Sequence, residues 1–264
     1  NFATIGNEEV TNGDFSDIGS ELVTNGNFAT DLSGWTISGT DATHSVTWTA
    51  SGARYQSDTT SPVLSFFQDI LTVGKTYKLT CNIAYTSGET LRVSIGGANQ
   101  SAFTEGANIR IATATSNASL NFLRDAANVD AIISNVSVKE VGQDWTFAGG
   151  WSMGDGVATA ISGGGTAAKL TQTNTLNGKS AKVTLDVSNY GGSGLILVDF
   201  GSVSSSYITS NGTHTLYGNY DQNNFEIYKS DDFSGDIDNI SVKEVGKGWA
   251  ITDGWSLEQG QASW

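Results

Sequence analysis

Two histidines, His44 and His214, and one cysteine, Cys81, are the chain's whole supply of imidazole and thiol. The histidines lie in different halves of the chain at non-equivalent positions. Neither has a ligating neighbour at helical or hairpin spacing. Cys81 sits in YKLTCNIAY at the same parity as Leu79 and Ile83, which reads as a buried core thiol. A lone cysteine also allows no intrachain disulfide. Paired carboxylates would suit a glycosidase, but Asp231, Asp232, Asp236 and Asp238 crowd one turn-rich segment and read as solvated loop charge. There is no GxSxG elbow, and the GGG at 163–165 lacks the Lys-Ser/Thr of a phosphate loop. The expectation is a protein that binds rather than catalyses.

Aromatic rings set among polar groups are the chemistry this chain does offer, and such rings are flat apolar platforms for sugars. Trp35, Trp151 and Trp255 recur at equivalent positions, as do Trp145 and Trp249, so these read as core or interface packing. Trp48, Arg54 and Tyr55 stand in a stretch of the first half without counterparts in the second. Tyr190, Tyr207, Tyr217, Tyr220 and Tyr228 are largely special to the second half. Trp48, Arg54, Tyr55, Tyr190, Tyr207, Tyr217 and Tyr220 are therefore the candidate carbohydrate contacts. The net charge of −14 argues against nucleic acid as a partner, whose affinity rests on clustered Lys and Arg, and against anionic membranes. No apolar run approaches the ~20 residues that span a bilayer, and no signal peptide is visible.

The elements that would hold such residues are strands. The chain has 32 Gly and 1 Pro, with 38% hydrophobic and 10% aromatic residues. That is too apolar for disorder. Short apolar runs separated by Gly, Asn, Asp and Ser predict an all-β protein. In TYKLTCNIAY, Tyr77, Leu79, Cys81 and Ile83 alternate with polar residues, a strand with one buried face. LILVDF (195–200) is apolar at both parities and is expected to be central or to face a partner. Parity also aligns Leu120 and Phe122 with Phe225 and Ile227. About eight strands per domain, with both faces used, predict jelly-roll sandwiches.

Two repeats organise these strands. NVSVKEVG at 135–142 returns as NISVKEVG at 239–246, and GKTYKLTCNIA matches GKSAKVTLDVS at the same offset of 104. WTFAGGWSMGDGVATA and WAITDGWSLEQGQASW then read as further openings. The expected organisation is a repetitive segment at 1–19, sandwiches at 20–141 and 142–245, and the start of a third repeat at 246–264. The second repeat is short. Residues 1–13 and 14–26 share Phe, Ile, Gly, Glu, Val, Thr, Asn and Gly at matched positions, and Phe2, Phe15 and Phe28 are evenly spaced. A unit this small cannot bury enough apolar surface alone. It is expected to form a narrow intertwined shaft, trimeric for instance. The alternatives are strands that complete a neighbouring subunit's sandwich to build a filament, or a linker. The chain opens inside a repeat, which predicts sequence upstream.

The pattern ELVTNGNFATDLSGW, GKTYKLT and NVSVKEV resembles the tandem jelly-roll modules of bacteriophage tail fibres and related surface adhesins, which are similar in fold to carbohydrate-binding modules. The resemblance covers Glu21 to Trp264. It implies an extracellular or virion location, a cell-surface glycan and copies of the chain itself as partners, and a role as spacer and adhesion module. The competing expectation is a purely structural filament subunit. Some related modules hold a structural calcium between the first strand and an acidic residue before the last strand, for which Asp236 and Asp238, with an N-terminal carboxylate, would serve here. Ser134 replaces Asp238 in the first domain.

Overall fold

The computed structural model describes residues 5–125, 128–165, 168–201, 205–246, 256–258 and 261–263. The chain is all-β and folds as two compact units. One holds Ile18–Val141, the other Asn1–Asp17 together with Gly142–Trp264. Among the described residues no helix is long and apolar enough to cross a membrane.

The 18–141 unit is a jelly-roll β-sandwich of two five-stranded antiparallel sheets. One sheet runs in the order Thr36–Ser38, Ser65–Asp69, Ser119–Arg124, Leu91–Ile95, Ala98–Asn99. The other runs Ser45–Thr49, Gly52–Ser57, Val129–Val141, Thr76–Gly88, Gly106–Thr113. The period-two pattern of TYKLTCNIAY places Tyr77, Leu79, Cys81 and Ile83 inward, where they join Phe66, Val93, Leu120, Phe122, Ile133 and Val138 in one apolar core. Burial pushes the Cys81 thiol up to about 12, so it is an inert core group.

The second unit repeats this plan. Its first sheet runs Trp151–Met153, Ala158–Ala160, Ser234–Val245, Ser180–Gly191, Gly212–Asn219. Its second runs Thr146–Phe147, Lys169–Thr173, Asn224–Lys229, Ile196–Asp199, Ser205–Ile208. Phe225 and Ile227 point inward and are fully buried, as are Leu120 and Phe122 in the first sandwich.

Residues 5–17 do not form a separate shaft or linker. The strand Ile5–Glu8 pairs with Ser234–Val245, with Ile5 opposite Val245 and Glu8 opposite Lys243. Glu8 takes the Ser241 hydroxyl and the Val242 N–H, each at 2.6 Å. Thr11 and Gln172 exchange two hydrogen bonds, Thr11 N–H to Oε1 at 2.7 Å and Nε2 to the Thr11 carbonyl at 3.0 Å. The Trp145 indole donates to the Asn12 carbonyl at 2.9 Å. Phe15 is buried, 5.4 Å from the Trp145 ring centroid.

The next copy of the repeat does the same inside the 18–141 sandwich. Ile18 bridges Val141. Glu21 takes the Ser137 hydroxyl at 2.5 Å and the Val138 N–H at 2.9 Å. Thr24 exchanges two hydrogen bonds with Gln68, the Trp35 indole donates to the Asn25 carbonyl at 3.3 Å, and Phe28 packs 5.6 Å from Trp35. Asn12, Phe15, Asn25 and Phe28 all hold positive φ, between 48° and 52°. Glycine is required at the matched positions 13 and 26, because a Cβ there would lie 1.9 Å from the carbonyl oxygen of Ile240 or Val136. These carbonyls belong to bulged closing strands, where Ile240 N–H bonds Gly13 and Val136 N–H bonds Gly26.

These contacts correct the alignment of the tryptophans. Trp35 is the counterpart of Trp145, not of Trp151: each caps the asparagine carbonyl of a 13-residue segment and stacks near its phenylalanine. Trp48 and Trp151 instead lie on the outer hairpin strands Ser45–Thr49 and Trp151–Met153, the same sheet position in each sandwich. Trp48, Arg54 and Tyr55 thus belong to a longer version of a shared hairpin rather than to an insertion.

Candidate functional site

The outward face of the second sheet in the 142–245 sandwich carries a row of aromatic, apolar and charged residues. Register aligns Lys169 with Tyr228, Tyr228 with Leu197, and Leu197 with Tyr207. These four residues make one row across four strands. The neighbouring row is Thr171, Glu226 and Asp199. The alternate residues Leu170, Phe225, Ile227, Ile196, Val198 and Ile208 fill the core, which obliges the row residues to face out. LILVDF is apolar at both parities for this reason: Ile196 and Val198 pack inward, while Leu195 and Leu197 line a cleft.

That cleft measures about 560 Å³ and is lined by Gly165, Leu195, Leu197, Asp199, Tyr228, Lys229, Ser230 and Asp231. Its volume falls within the roughly 300–1,000 Å³ of small-ligand sites. Tyr207, 64% exposed, stands at the end of the row.

Polar groups around the cleft are held in place. Glu226 is buried and binds the Lys169 ammonium at 2.7 Å and the Tyr228 hydroxyl at 2.7 Å. The Lys169 nitrogen also lies 5.5 Å from the Tyr228 ring centroid, within cation–π reach. The Glu226 hydrogen bond raises the Lys169 pKa, and burial followed by the Glu226 contact raises that of Tyr228. Lys229 donates to the Gly163 carbonyl, and burial lowers its pKa. Asp199 accepts the Gly201 N–H at 2.9 Å, and Asp231 accepts the Gly165 N–H at 2.8 Å. Each carboxylate keeps lone pairs for a further donor. The arrangement offers apolar ring surface beside fixed hydroxyl-accepting oxygens.

The residues expected from sequence as carbohydrate contacts scatter. Tyr207 lies on the cleft row. Tyr217 lies on the edge strand Gly212–Asn219 of the other sheet. Tyr190 packs its ring 5.4 Å from Phe233 and donates its hydroxyl to the Gly194 carbonyl. Tyr220 is 2% exposed and Tyr55 fully buried, so neither can present a ring to a ligand. The Tyr55 hydroxyl donates to the Leu64 carbonyl at 2.7 Å, and burial pushes its pKa up to about 12. Arg54 is clamped by both Asp130 oxygens, at 2.9 and 2.6 Å. Trp48 is 43% exposed, but its indole donates to the Phe28 carbonyl at 2.8 Å. Tyr228 was visible as a tyrosine special to the second half. Lys169, Glu226, Leu197, Asp199 and Asp231 carry no motif, and only strand register brings them together.

Asp236 and Asp238, the residues expected as calcium ligands, have different surroundings. Asp236 accepts the Thr159 hydroxyl at 2.8 Å and the Asn189 amide at 2.6 Å. Asp238 has its pKa raised, first by burial and then by the charges of Asp14 and Asp186, against a lowering hydrogen bond from Asn239. Calcium takes about 6–8 oxygen ligands, and no group of three or more His, Cys, Asp or Glu suited to a metal exists among the described residues.

No family model matches this sequence, and no curated protein matches it. Among solved structures the chain is similar to the N-terminal CBM22-1–CBM22-2 tandem domain of Xyn10C from Paenibacillus barcinonensis, at 10% identity over 87% of this chain and 99% of that one, with a TM-score of 0.36. It is also similar to allantoicase from Saccharomyces cerevisiae, at 6% identity over 72% and 80% of the two chains and a TM-score of 0.28. A third is a chain of Sulfolobus Turreted Icosahedral Virus, at 12% identity over 80% and 60% and a TM-score of 0.18.

Proposed function

We propose that the chain is a non-catalytic glycan-binding and spacer segment of an extracellular or virion fibre, and that the cleft of the 142–245 sandwich is its sugar site. The observation that carries this reading is the row Lys169–Tyr228–Leu197–Tyr207 beside the 560 Å³ cleft. Two tyrosines and two leucines supply apolar surface for a pyranose face. Asp199 and Asp231 supply acceptors for its hydroxyls. The net charge of −14 favours neutral sugars over uronic acids. The sequence resemblance to tail-fibre modules and the tandem sandwiches support the fibre setting, in which weak sites gain avidity when many copies engage one surface.

The test is a glycan-array screen of the full chain at multivalent display. Binding should weaken by roughly 2- to 12-fold with Tyr228→Ala or Tyr207→Ala, the effect of ~0.5–1.5 kcal/mol per stacked ring. Trp48→Ala should leave it unchanged. Loss with Trp48→Ala alone, or no binding to any glycan, refutes the site.

A further inference from the structure

Compared as 5–15 and 18–28, the repeat keeps eight identities, and each is a contact position. Ile5 and Ile18 meet a closing-strand valine. Gly6 and Gly19 lie against Glu244 and Glu140. Glu8 and Glu21 each hold a serine hydroxyl and a valine N–H. Val10 and Val23 are buried. The main chains of Thr11 and Thr24 bond a glutamine, and Asn12 and Asn25, both at positive φ, accept a tryptophan indole at their carbonyls. Gly13 and Gly26 pass a carbonyl that no other residue clears. Phe15 and Phe28 fill the core. Where the copies differ next to this last contact, at Asp14 and Asn27, the side chains are exposed.

Each sandwich body therefore carries a groove that reads one peptide, Glu-x-Val-Thr-Asn-Gly-x-Phe, through positions that do not distinguish one copy from another. The two attachments differ. Phe28 is seven residues before its Trp35, whereas Phe15 reaches Trp145 only across the whole of Ile18–Val141. The segment 5–17 is thus tied to its body through a folded unit whose two ends meet at the Ile18–Val141 bridge.

We propose that the groove of the 142–245 body is a peptide-binding site that accepts segment 5–17 from a second copy of this chain. Every hydrogen bond and the phenylalanine contact are the same whether the segment arrives from its own chain or another. The choice is then set by effective concentration, about millimolar for an internal segment. This predicts an exchanged share on the order of a tenth at about 0.1 mM chain and about a hundredth at about 10 µM. The glutamate, the valine and the buried phenylalanine give the exchange its specificity.

The test uses full-length chains carrying Cys81→Ser. A Cβ on Gly6 would lie 3.0 Å from Glu244 Cβ, and a small shift brings the pair to the ~3.5–4.5 Å of a disulfide. One variant carries Gly6→Cys and another Glu244→Cys. They are unfolded together, refolded in a thiol–disulfide buffer and run on a non-reducing gel. The expected result is a linked heterodimer whose share rises about tenfold between the two concentrations. Excess synthetic peptide of residues 5–17 should suppress it, and the same peptide with Phe15→Ala should not. The double variant Gly6→Cys/Glu244→Cys closes within one chain and shows that the bond can form. If the double variant closes while the mixture stays unlinked at every concentration, exchange is overturned. If the wild-type peptide leaves the heterodimer unchanged, the groove as a peptide site is overturned.

Discussion

Replacing Phe15 by alanine should damage the sandwich that lies more than a hundred residues further along the chain and spare the one that follows directly. Phe15 is 1% exposed, with its ring 5.4 Å from Trp145 and 6.4 Å from Phe147, and Trp145 in turn lies 6.1 Å from Phe225. Truncation removes one ring of this cluster and the support behind the tryptophan. Buried Phe→Ala changes cost about 3–5 kcal/mol. At a factor of ten per ~1.4 kcal/mol, the population of opened 142–245 sandwich rises by roughly two to four decades. Hydrogen exchange followed by mass spectrometry reads each unit separately. Peptides from Ser180–Gly191 and Ser234–Val245 should lose protection by that factor, while Thr76–Gly88 and Val129–Val141 keep theirs. Phe28→Ala should give the opposite map, since Phe28 packs with Trp35 and Phe66. Faster exchange in 18–141 on Phe15→Ala, or no change in 142–245, would refute the assignment of the first segment.

Tyr220→Phe should stabilise the 142–245 sandwich by about 1 kcal/mol, read as a raised denaturant midpoint, because the buried Tyr220 hydroxyl has no hydrogen-bond partner among the described residues. Asp238→Asn should raise the thermal midpoint at pH 7. The folded pKa of Asp238 lies above the ordinary aspartate value, so stability is fully present below that value and falls as pH rises through the folded one. The gain should vanish at pH 3. Glu21→Gln should blunt the acid sensitivity of the 18–141 sandwich. Burial pushes the Glu21 pKa up, but the donors Ser137, Val138 and Val23 outweigh it and hold it below its usual 4.5. That contribution is present above the ordinary glutamate value and lost as pH falls through the folded one, which acid titration followed by circular dichroism measures.

Strand alternation was legible in TYKLTCNIAY because burial of one face imposes a period of two, and the structure places the marked residues in the core. The site was legible only in fragments. LILVDF announced a strand with both faces in use, and Tyr207 and Tyr228 were marked as special to the second half. What joins them to Lys169 and Asp199 is register between strand residues 10 to 59 apart in sequence, for which the chain carries no local signal. Tyr55 and Tyr220 read like Tyr207, since a tyrosine's identity does not say whether its position points it in or out.

The 13-residue repeat divides most sharply between sequence and tertiary structure. The sequence by itself determined that two segments are chemically equivalent and too small to stand alone, because eight matched residues and a small apolar surface can be counted. Only the tertiary structure decided where each one goes. Segment 18–28 completes the body that follows it in sequence, while segment 5–17 completes the body that resumes at residue 142. Backbone pairing with a bulged closing strand and a phenylalanine-sized gap beside tryptophan hold each segment in the same way, and contacts of that kind depend on distance in space rather than on order along the chain.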